Sequence, residues 1–249
     1  MNRIVIDPEE RFSVGGENFV ITVPMTERRL STGDAFTIAK NEAYIRVYED
    51  LASSFSPRSI LELGIYEGGS YVLLDKLFRP SRMSAVDMSP NPIDALCHYV
   101  EGKQDRFLHF STSQSNREVL ENTVQNELAN ELDFVVDDAS HTYEETRASF
   151  EILFPLLQPG GIYLIEDWSW AHHRGYQSPD APFFKRPALS NLLFEQIMLM
   201  ASTHLIAELR IWSFLYLIRK TNNAHGGTTP EPRSIFEQIR SRGKKWNPI

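Results

Sequence analysis

The sequence predicts an α/β protein built on a doubly wound, mostly parallel seven-stranded sheet. From Ser59 onward, short apolar runs alternate with longer stretches of helical periodicity. This alternation favours parallel strands joined by crossover helices. The chain of 249 residues is also long enough for one large domain with a well-covered core.

The first 55 residues predict a β-hairpin followed by a helix. Gly15-Gly16 lies between two β-rich runs within Arg3–Val23, and such a pair favours a hairpin turn. Apolar residues then recur near the helical period from about Thr32 to Phe55, which predicts a helix. Ser56-Pro57-Arg58 ends that helix.

Five strands and four helices are predicted in the alternating region. The strands are Ser59–Leu63, Met83–Val86, Arg106–Phe110, Asp133–Val136 and Ile162–Ile165. The helices are Tyr71–Phe78, Ile93–Tyr99, Arg117–Glu131 and Glu144–Leu157, with Pro159-Gly160-Gly161 ending the last one.

The pattern loosens after residue 167. Residues Trp168–Pro187 predict a long aromatic loop, and a loop of that length is typical of a lid or a substrate wall. Leu189–Met200 predicts an apolar helix, and His204–Arg210 with Ser213–Lys220 predicts an antiparallel strand pair. We therefore expect an extension over residues 1–55, a main domain over 56–222 and a polar, solvated tail over 223–249.

Composition excludes several classes of function. The formal net charge of −8 argues against general nucleic-acid binding. No apolar stretch is long enough to span a membrane, and the N-terminus lacks the apolar region of a signal peptide. Cys97 is the only cysteine, which favours the reducing cytoplasm.

Two acidic doublets each follow a predicted buried strand. Asp137-Asp138 comes after the fourth strand and Glu166-Asp167 after the fifth. Neighbouring strands lie about 4.8 Å apart, so Asp138, Glu166 and Asp167 would be within reach of one ion. An all-oxygen set suits Mg²⁺ better than zinc. The alternative is that one member of each doublet caps a helix or pairs with an arginine.

His141 follows Asp138 by three positions and is the candidate general base. Histidine side chains exchange protons near neutral pH, which suits removal of a proton from a hydroxyl group. In the alternative interpretation, Ser140 caps the next helix and His141 is only exposed nearby. His172 and His173 are competing candidates for the base.

A glycine-containing turn joins the first strand of the alternation to its helix. It runs from Glu62 to Ser70 and contains Gly64, Gly68 and Gly69, without the spacing GxGxxG of dinucleotide-binding proteins. Asp87 ends the second strand, where a carboxylate can accept hydrogen bonds from a ribose diol. A nicotinamide dinucleotide-binding oxidoreductase is the alternative.

Over roughly residues 55–220 the sequence resembles the class I S-adenosylmethionine-dependent methyltransferases. The resemblance rests on the succession of strand, glycine turn, helix and second strand ending at Asp87. The resemblance implies a Rossmann-like methyltransferase fold with S-adenosylmethionine as cofactor. It implies that Gly64 faces the methionine part, that Asp87 binds the ribose and that Ser113-Gln114 contacts adenine. The full implied cofactor set is Glu62, Gly64, Tyr66, Gly68, Ser70, Asp87, Ser113, Gln114 and Asp137.

Three segments resemble a narrower group, the metal-dependent sugar O-methyltransferases known from macrolide antibiotics such as mycinamicin. The segments are residues 137–141, 153–161 and 165–167, with Ala139 where the group usually has glycine. The resemblance implies that Asp138, Glu166 and Asp167 hold Mg²⁺ and that His141 is the base. The first 55 residues are short compared with the mycinamicin type, and related short enzymes act on glycans such as methylated mannose polysaccharides of actinobacteria.

We therefore expect a Mg²⁺-dependent O-methyltransferase acting on a sugar or oligosaccharide hydroxyl. The aromatic loop, with Trp168, Trp170, Tyr176 and Phe183-Phe184, either stacks on the sugar or buries the loop against the sheet. The alternatives are a tailoring enzyme like the cephalosporin hydroxylases and a non-catalytic partner subunit. The hairpin either pairs across a homodimer or packs on its own sheet.

Overall fold

The structure, a computed structural model, describes residues 3–22, 29–181 and 184–222. Predictions for Val23, Phe183 and the tail over 223–249 lie outside these residues. The chain divides into two compact units, Met1–Ser113 and Gln114–Ile249. Within the described residues, none of the helices combines the length and apolar character needed to cross a membrane.

The first unit contains six strands and three helices. They are β1 (Arg11–Val14), β2 (Glu17–Ile21), β3 (Phe36–Ile38), α1 (Glu42–Ser54), β4 (Ser59–Leu63), α2 (Gly69–Phe78), β5 (Arg82–Val86), α3 (Asp94–Val100) and β6 (Arg106–His109).

The described residues of the second unit begin with a helix and end with an antiparallel strand pair. Its elements are α4 (Arg117–Asn122), a π-helical turn (Thr123–Glu127), β7 (Leu132–Asp137), α5 (Tyr143–Leu153), β8 (Leu157–Glu166), two 3₁₀ turns (Trp170–His172 and Arg174–Tyr176), α6 (Ser190–Ser202), β9 (Ile206–Ile211) and β10 (Leu215–Lys220).

The fold class predicted from the sequence is confirmed, because the protein has a mostly parallel seven-stranded sheet. The first unit contributes β6, β5 and β4 in that spatial order, all parallel. The second unit contributes β7, β8, β10 and β9, of which β7 and β8 are parallel and β10 is antiparallel to both neighbours. Every residue of β4 is buried, as expected for a parallel strand covered on both faces.

The N-terminal part forms a separate three-stranded sheet that only partly matches the prediction. The hairpin around Gly15-Gly16 is confirmed, with β1 and β2 antiparallel. The helix predicted from Thr32 is wrong in its first part, because Phe36–Ile38 is β3 and pairs in parallel with β2. The side chain of Asn41 accepts a hydrogen bond from the Ala43 N–H and starts α1 there.

Two helix predictions in the second unit are too long. The α-helix predicted over Arg117–Glu131 ends at Asn122 and continues as the π-helical turn. The helix predicted to reach Leu157 ends at Leu153, and Leu157 instead begins β8, which runs through Pro159-Gly160-Gly161. Gly160 has a φ of +78°, which glycine adopts without a steric penalty.

The segment Ser31–Ile38 packs on the glycine turn in the first unit. The hydroxyl of Ser31 donates to the Glu67 carbonyl at 2.6 Å and accepts from the Thr37 N–H at 2.8 Å. A Cβ atom added to Gly69 would lie 2.2 Å from the Thr37 carbonyl oxygen. Glycine at position 69 therefore permits close contact between β3 and the start of α2.

Gly69→Ala should destabilise the protein, because the new methyl group would collide with a backbone atom that cannot move aside. We expect the free energy of unfolding to fall by about 2–4 kcal/mol in urea titration. Gly33→Ala is the matched control, since a Cβ atom there meets nothing within 4 Å. Equal stability of the two variants would contradict this account of the contact.

Glu195 on α6 carries a buried carboxyl group in the second unit. The Tyr143 hydroxyl donates to Glu195 Oε1 at 2.7 Å. Burial raises the pKa of Glu195 from 4.5 to about 7, although the positive charge of Arg147 opposes this. The folded protein therefore binds this proton more tightly than the unfolded chain does.

Because the folded pKa of Glu195 is raised, its stabilising contribution is present at low pH and is lost as pH rises from about 4.5 to about 7. Glu195→Gln keeps an acceptor for Tyr143 and should be more stable than the wild type at pH 8 by about 1–2 kcal/mol, allowing for partial solvent exposure. The difference should vanish near pH 4.5 in urea titrations. Glu118→Gln, at an exposed position on α4, serves as the control. A difference that does not depend on pH would refute the assignment.

Candidate functional site

Three side chains in the second unit form a candidate cation site. Asp138, His141 and Asp167 each offer one ligand atom, and these atoms all lie within 4.8 Å of one another. All three residues are partly exposed, and the His141 Nε2 atom is 3.8 Å from Asp138 Oδ1. The cluster lies where the acidic doublets were predicted, directly after β7 and β8.

The backbone at this cluster is unusual at two of its three members. His141 has a φ of +55° and Asp167 a φ of +51°, a region that non-glycine residues rarely adopt. The Trp170 Nε1–H donates to the His141 carbonyl at 2.6 Å, and the Asp167 N–H donates to the Phe214 carbonyl at 2.7 Å. Strained conformations held in this way are concentrated at functional sites.

The cluster differs from the predicted ligand set in one member. Glu166, predicted as a ligand beside Asp167, is buried at the end of β8 opposite Leu215 and is not part of the three-residue group. His141, predicted as the base, is a member instead. The role of Glu166 as a ligand stays a prediction.

The chemistry of the donors fits a divalent cation. Carboxylate oxygens are the ligands that Mg²⁺ and Mn²⁺ prefer, and Asp138 and Asp167 supply them from two strand ends. Imidazole is a better ligand for zinc, iron or copper than for Mg²⁺. With a magnesium ion, His141 would therefore be left to exchange protons.

Asp137 is buried away from this cluster in a polar network. Its carboxylate accepts hydrogen bonds from the Ser149 hydroxyl at 2.6 Å, the Tyr163 hydroxyl at 2.7 Å and Gln114 Nε2 at 3.0 Å. Burial raises the pKa of Asp137 to about 6, while these hydrogen bonds lower it. Ser149 and Tyr163 were not among the site residues predicted from the sequence; their signal is a hydroxyl group on the buried side of an element.

The side chains of Gln114 and the two loop histidines have partners within the second unit. Gln114 Oε1 accepts from the Ser140 N–H at 2.9 Å, so the structure gives this side chain other partners than the implied adenine. His172 Nε2 lies 2.8 Å from the Ser190 hydroxyl, and His173 Nε2 lies 3.2 Å from that of Ser169. Neither histidine belongs to the cation cluster.

Two tryptophans of the aromatic loop are bonded into the second unit. Trp168 Nε1 donates to the Trp212 carbonyl at 2.9 Å, and its ring meets that of Tyr216 edge-on. The ring of Trp170 contacts that of Tyr176. The loop contains two 3₁₀ turns and is more ordered than predicted. These contacts favour the interpretation in which Trp168 and Trp170 bury the loop.

The first unit contains the candidate cofactor turn. Asp87 Oδ2 accepts from the N–H groups of Ile65 at 2.7 Å and Tyr66 at 3.2 Å, and Oδ1 accepts from the Ser89 N–H at 2.7 Å. Asp87 therefore fixes the turn. Because each carboxylate oxygen can accept two hydrogen bonds, Oδ1 retains capacity for a ribose hydroxyl.

The predicted turn residues adopt conformations that suit a close-fitting ligand. Gly64 and Gly68 have φ values of +93° and +80°, and Tyr66 has a φ of +51° with its side chain partly exposed. Glu62 and Ser70 are buried on either side of the turn, and Ser113 is half-buried. Ligand binding by these residues stays a prediction.

Part of the chain is similar in sequence to known methyltransferases. Residues 61–168 match a family described as a methyltransferase domain. One relative is the 8-demethyl-8-(2-methoxy-alpha-L-rhamnosyl)-tetracenomycin-C 3'-O-methyltransferase of Streptomyces olivaceus. It is 32% identical to this chain over 127 residues. That match covers 48% of this chain and 30% of the relative. Mycinamicin VI 2''-O-methyltransferase of Micromonospora griseorubida is 29% identical over 125 residues, covering 47% and 29%.

Solved structures show the same fold. MycE methyltransferase from the mycinamycin biosynthetic pathway, in complex with Mg, SAH and mycinamycin VI, superposes with a TM-score of 0.53 at 23% identity, covering 75% of this chain and 50% of MycE. An O-methyltransferase from Bacillus cereus in complex with SAH gives a TM-score of 0.51 at 17% identity, covering 73% and 82%.

Residues 61–168 thus resemble a methyltransferase domain, and the fold is the Rossmann-like methyltransferase fold that the sequence predicted. The relatives with the sequence similarity reported above are sugar O-methyltransferases by name. The chain spans about half the length of MycE and less than a third of those two curated relatives.

Proposed function

We propose that this protein is a Mg²⁺-dependent O-methyltransferase that transfers the methyl group of S-adenosylmethionine to a sugar hydroxyl. The observation that carries the proposal is the cluster of Asp138, His141 and Asp167 at two strand ends of a methyltransferase domain. A scaffold protein would need neither the acidic residues nor the strained backbone around His141.

The relatives support the choice of cofactors and acceptor class. MycE was solved with Mg and SAH, and the curated relatives are named for methylation of sugars attached to antibiotics. These names favour methyl transfer over the dinucleotide-dependent alternative. The acceptor we propose is a sugar or oligosaccharide; its identity, a homodimer and a cytoplasmic location stay predictions.

In this mechanism Asp138 and Asp167, with Glu166 as a predicted third ligand, would hold Mg²⁺. When bound, the cation supplies positive charge that makes the proton of the acceptor hydroxyl easier to remove. His141 Nε2 accepts that proton as the oxygen–methyl bond forms and the sulfur–methyl bond breaks. The products are the methyl ether, S-adenosylhomocysteine and a proton on His141.

The remaining residues bind and orient the cofactor. The turn Gly64–Gly68, fixed by Asp87, would hold S-adenosylmethionine, and Asp87 Oδ1 could accept a hydrogen bond from a ribose hydroxyl. Because the sulfonium is already a good leaving centre, most of the rate enhancement comes from positioning and electrostatics.

Methyl transfer should depend on the metal. With radiolabelled S-adenosylmethionine and a panel of mono- and oligosaccharides, label should enter an acceptor with Mg²⁺ present and not in EDTA. Asp167→Asn should reduce the rate by about a hundredfold, since it removes a charged ligand. Asp50→Asn, on the exposed face of α1, should match the wild type. Full activity in EDTA would sink the metal claim, and a requirement for dioxygen would favour the hydroxylase alternative.

His141→Ala should lower kcat by about 10²–10⁴-fold, because the acceptor proton loses its base. Binding of S-adenosylhomocysteine, measured by calorimetry, should not change. His98→Ala removes an exposed imidazole on α3 and should leave both quantities unchanged. If the His141 variant turned over at the wild-type rate, another group, such as His172 or His173, would have to be the base.

A further inference from the structure

The carboxylate of Asp137 connects three elements of the second unit. Its Oδ1 accepts from Gln114 Nε2, and its Oδ2 accepts from the hydroxyls of Ser149 on α5 and Tyr163 on β8. A buried carboxylate needs such donors, because it has lost its contact with water. Both oxygens of Asp137 are thus engaged by donors within the second unit.

The amide group of Gln114 is oriented by this network. A carboxylate can only accept hydrogen bonds, so the amide nitrogen must face Asp137, and it lies 3.2 Å from the Ser149 hydroxyl as well. The amide oxygen therefore points the other way and accepts from the Ser140 N–H at 2.9 Å. The amide group of Gln114 thus links the carboxylate of Asp137 to the backbone of Ser140.

Ser140 lies in the loop between Asp138 and His141. This loop ends in the left-handed conformation of His141, with a φ of +55°, and Trp170 Nε1 holds the His141 carbonyl. A strained backbone persists only where surrounding contacts over-determine it. The hydrogen bond from the Ser140 N–H to Gln114 is a further side-chain contact that holds this loop.

We propose that Asp137 and Gln114 are positioning residues that set the geometry of Asp138 for cation binding and of His141 for proton transfer. This inference rests on the proposed function, because it assumes that the loop helps to hold a divalent cation. It assigns to Gln114 a task other than the adenine contact that the family resemblance implies. The two assignments differ in what a change at Gln114 should weaken, namely cation affinity or cofactor affinity.

The test exchanges the amide and the carboxylate. Gln114→Glu alone would set a second carboxylate against Asp137, and the repulsion should displace the loop. Combining it with Asp137→Asn restores the hydrogen bond between residues 114 and 137, since the introduced amide can donate to the introduced carboxylate, while the Ser140 N–H keeps its acceptor. Gln114→Met, which is of similar length and uncharged, removes the hydrogen bonds of Gln114 to Asp137, Ser149 and Ser140 without repulsion.

Two binding measurements on the full chain need no acceptor. They are Mn²⁺ affinity by electron paramagnetic resonance titration and S-adenosylhomocysteine affinity by calorimetry. We expect each single change at Gln114 to weaken Mn²⁺ binding by about 10–100-fold, with S-adenosylhomocysteine affinity within about twofold of the wild type. The double variant should recover Mn²⁺ affinity to within about threefold of the wild type.

Tyr163→Phe is the structural control. It removes one donor to Asp137 and keeps the hydrogen bonds of Gln114 to Asp137 and to the Ser140 N–H. It should lower the free energy of unfolding and leave Mn²⁺ affinity unchanged. Weaker S-adenosylhomocysteine binding with unchanged Mn²⁺ binding in Gln114→Met would overturn the proposal in favour of an adenine contact. Failure of the double variant to recover would also overturn it. A wild-type protein that binds no Mn²⁺ would defeat the proposed metal function itself, which distinguishes the two failures.

Discussion

The alternation of side chains at the end of β7 is the constraint on which the candidate site of the second unit depends. Consecutive residues of an extended chain point to opposite sides, so the two carboxylates of Asp137-Asp138 cannot share one environment. Asp137 is buried under three hydrogen-bond donors, and Asp138 is left partly exposed beside His141 and Asp167. The doublet therefore supplies one structural carboxylate and one available for chemistry.

In the first unit, too, a carboxylate stabilises a loop with positive φ values. The turn after β4 needs positive φ values at Gly64, Tyr66 and Gly68, and such a turn must be held against alternatives. Asp87, directly after β5, accepts from two of its N–H groups. In both units an aspartate at or after the carboxyl end of a parallel strand holds the backbone of a candidate site loop. Asp87 bonds to the backbone of the turn directly, whereas Asp137 acts through Gln114 on the backbone of Ser140.

Periodicity in the sequence was enough to predict the parallel strands, the closing antiparallel pair and the strand ends that carry Asp87 and Asp138. Two of the errors have a common physical origin, which is strand pairing with a distant segment. Residues Phe36–Ile38 continue a helical pattern, yet they form a strand because β2 offers hydrogen bonds to them. Residues 159–161 contain helix-ending signals, but they extend β8 because Gly161 allows close approach to the backbone of β7. The hydrogen-bond network around Asp137 could not be predicted from the sequence either, because Gln114, Ser149 and Tyr163 come together only in the folded chain.

The two possible tasks of His141, ligand and base, exclude each other at one nitrogen. If Nε2 donated its lone pair to a cation, it could not accept the acceptor's proton. Magnesium prefers oxygen, and Asp138 and Asp167 bring two carboxylates from separate strand ends, so the cation does not need the imidazole. The separation of 3.8 Å between Nε2 and Asp138 Oδ1 is longer than a hydrogen bond, which leaves Nε2 available. A histidine held by its backbone beside the carboxylates, rather than bonded to them, is placed to accept a proton from whatever hydroxyl the cation orients.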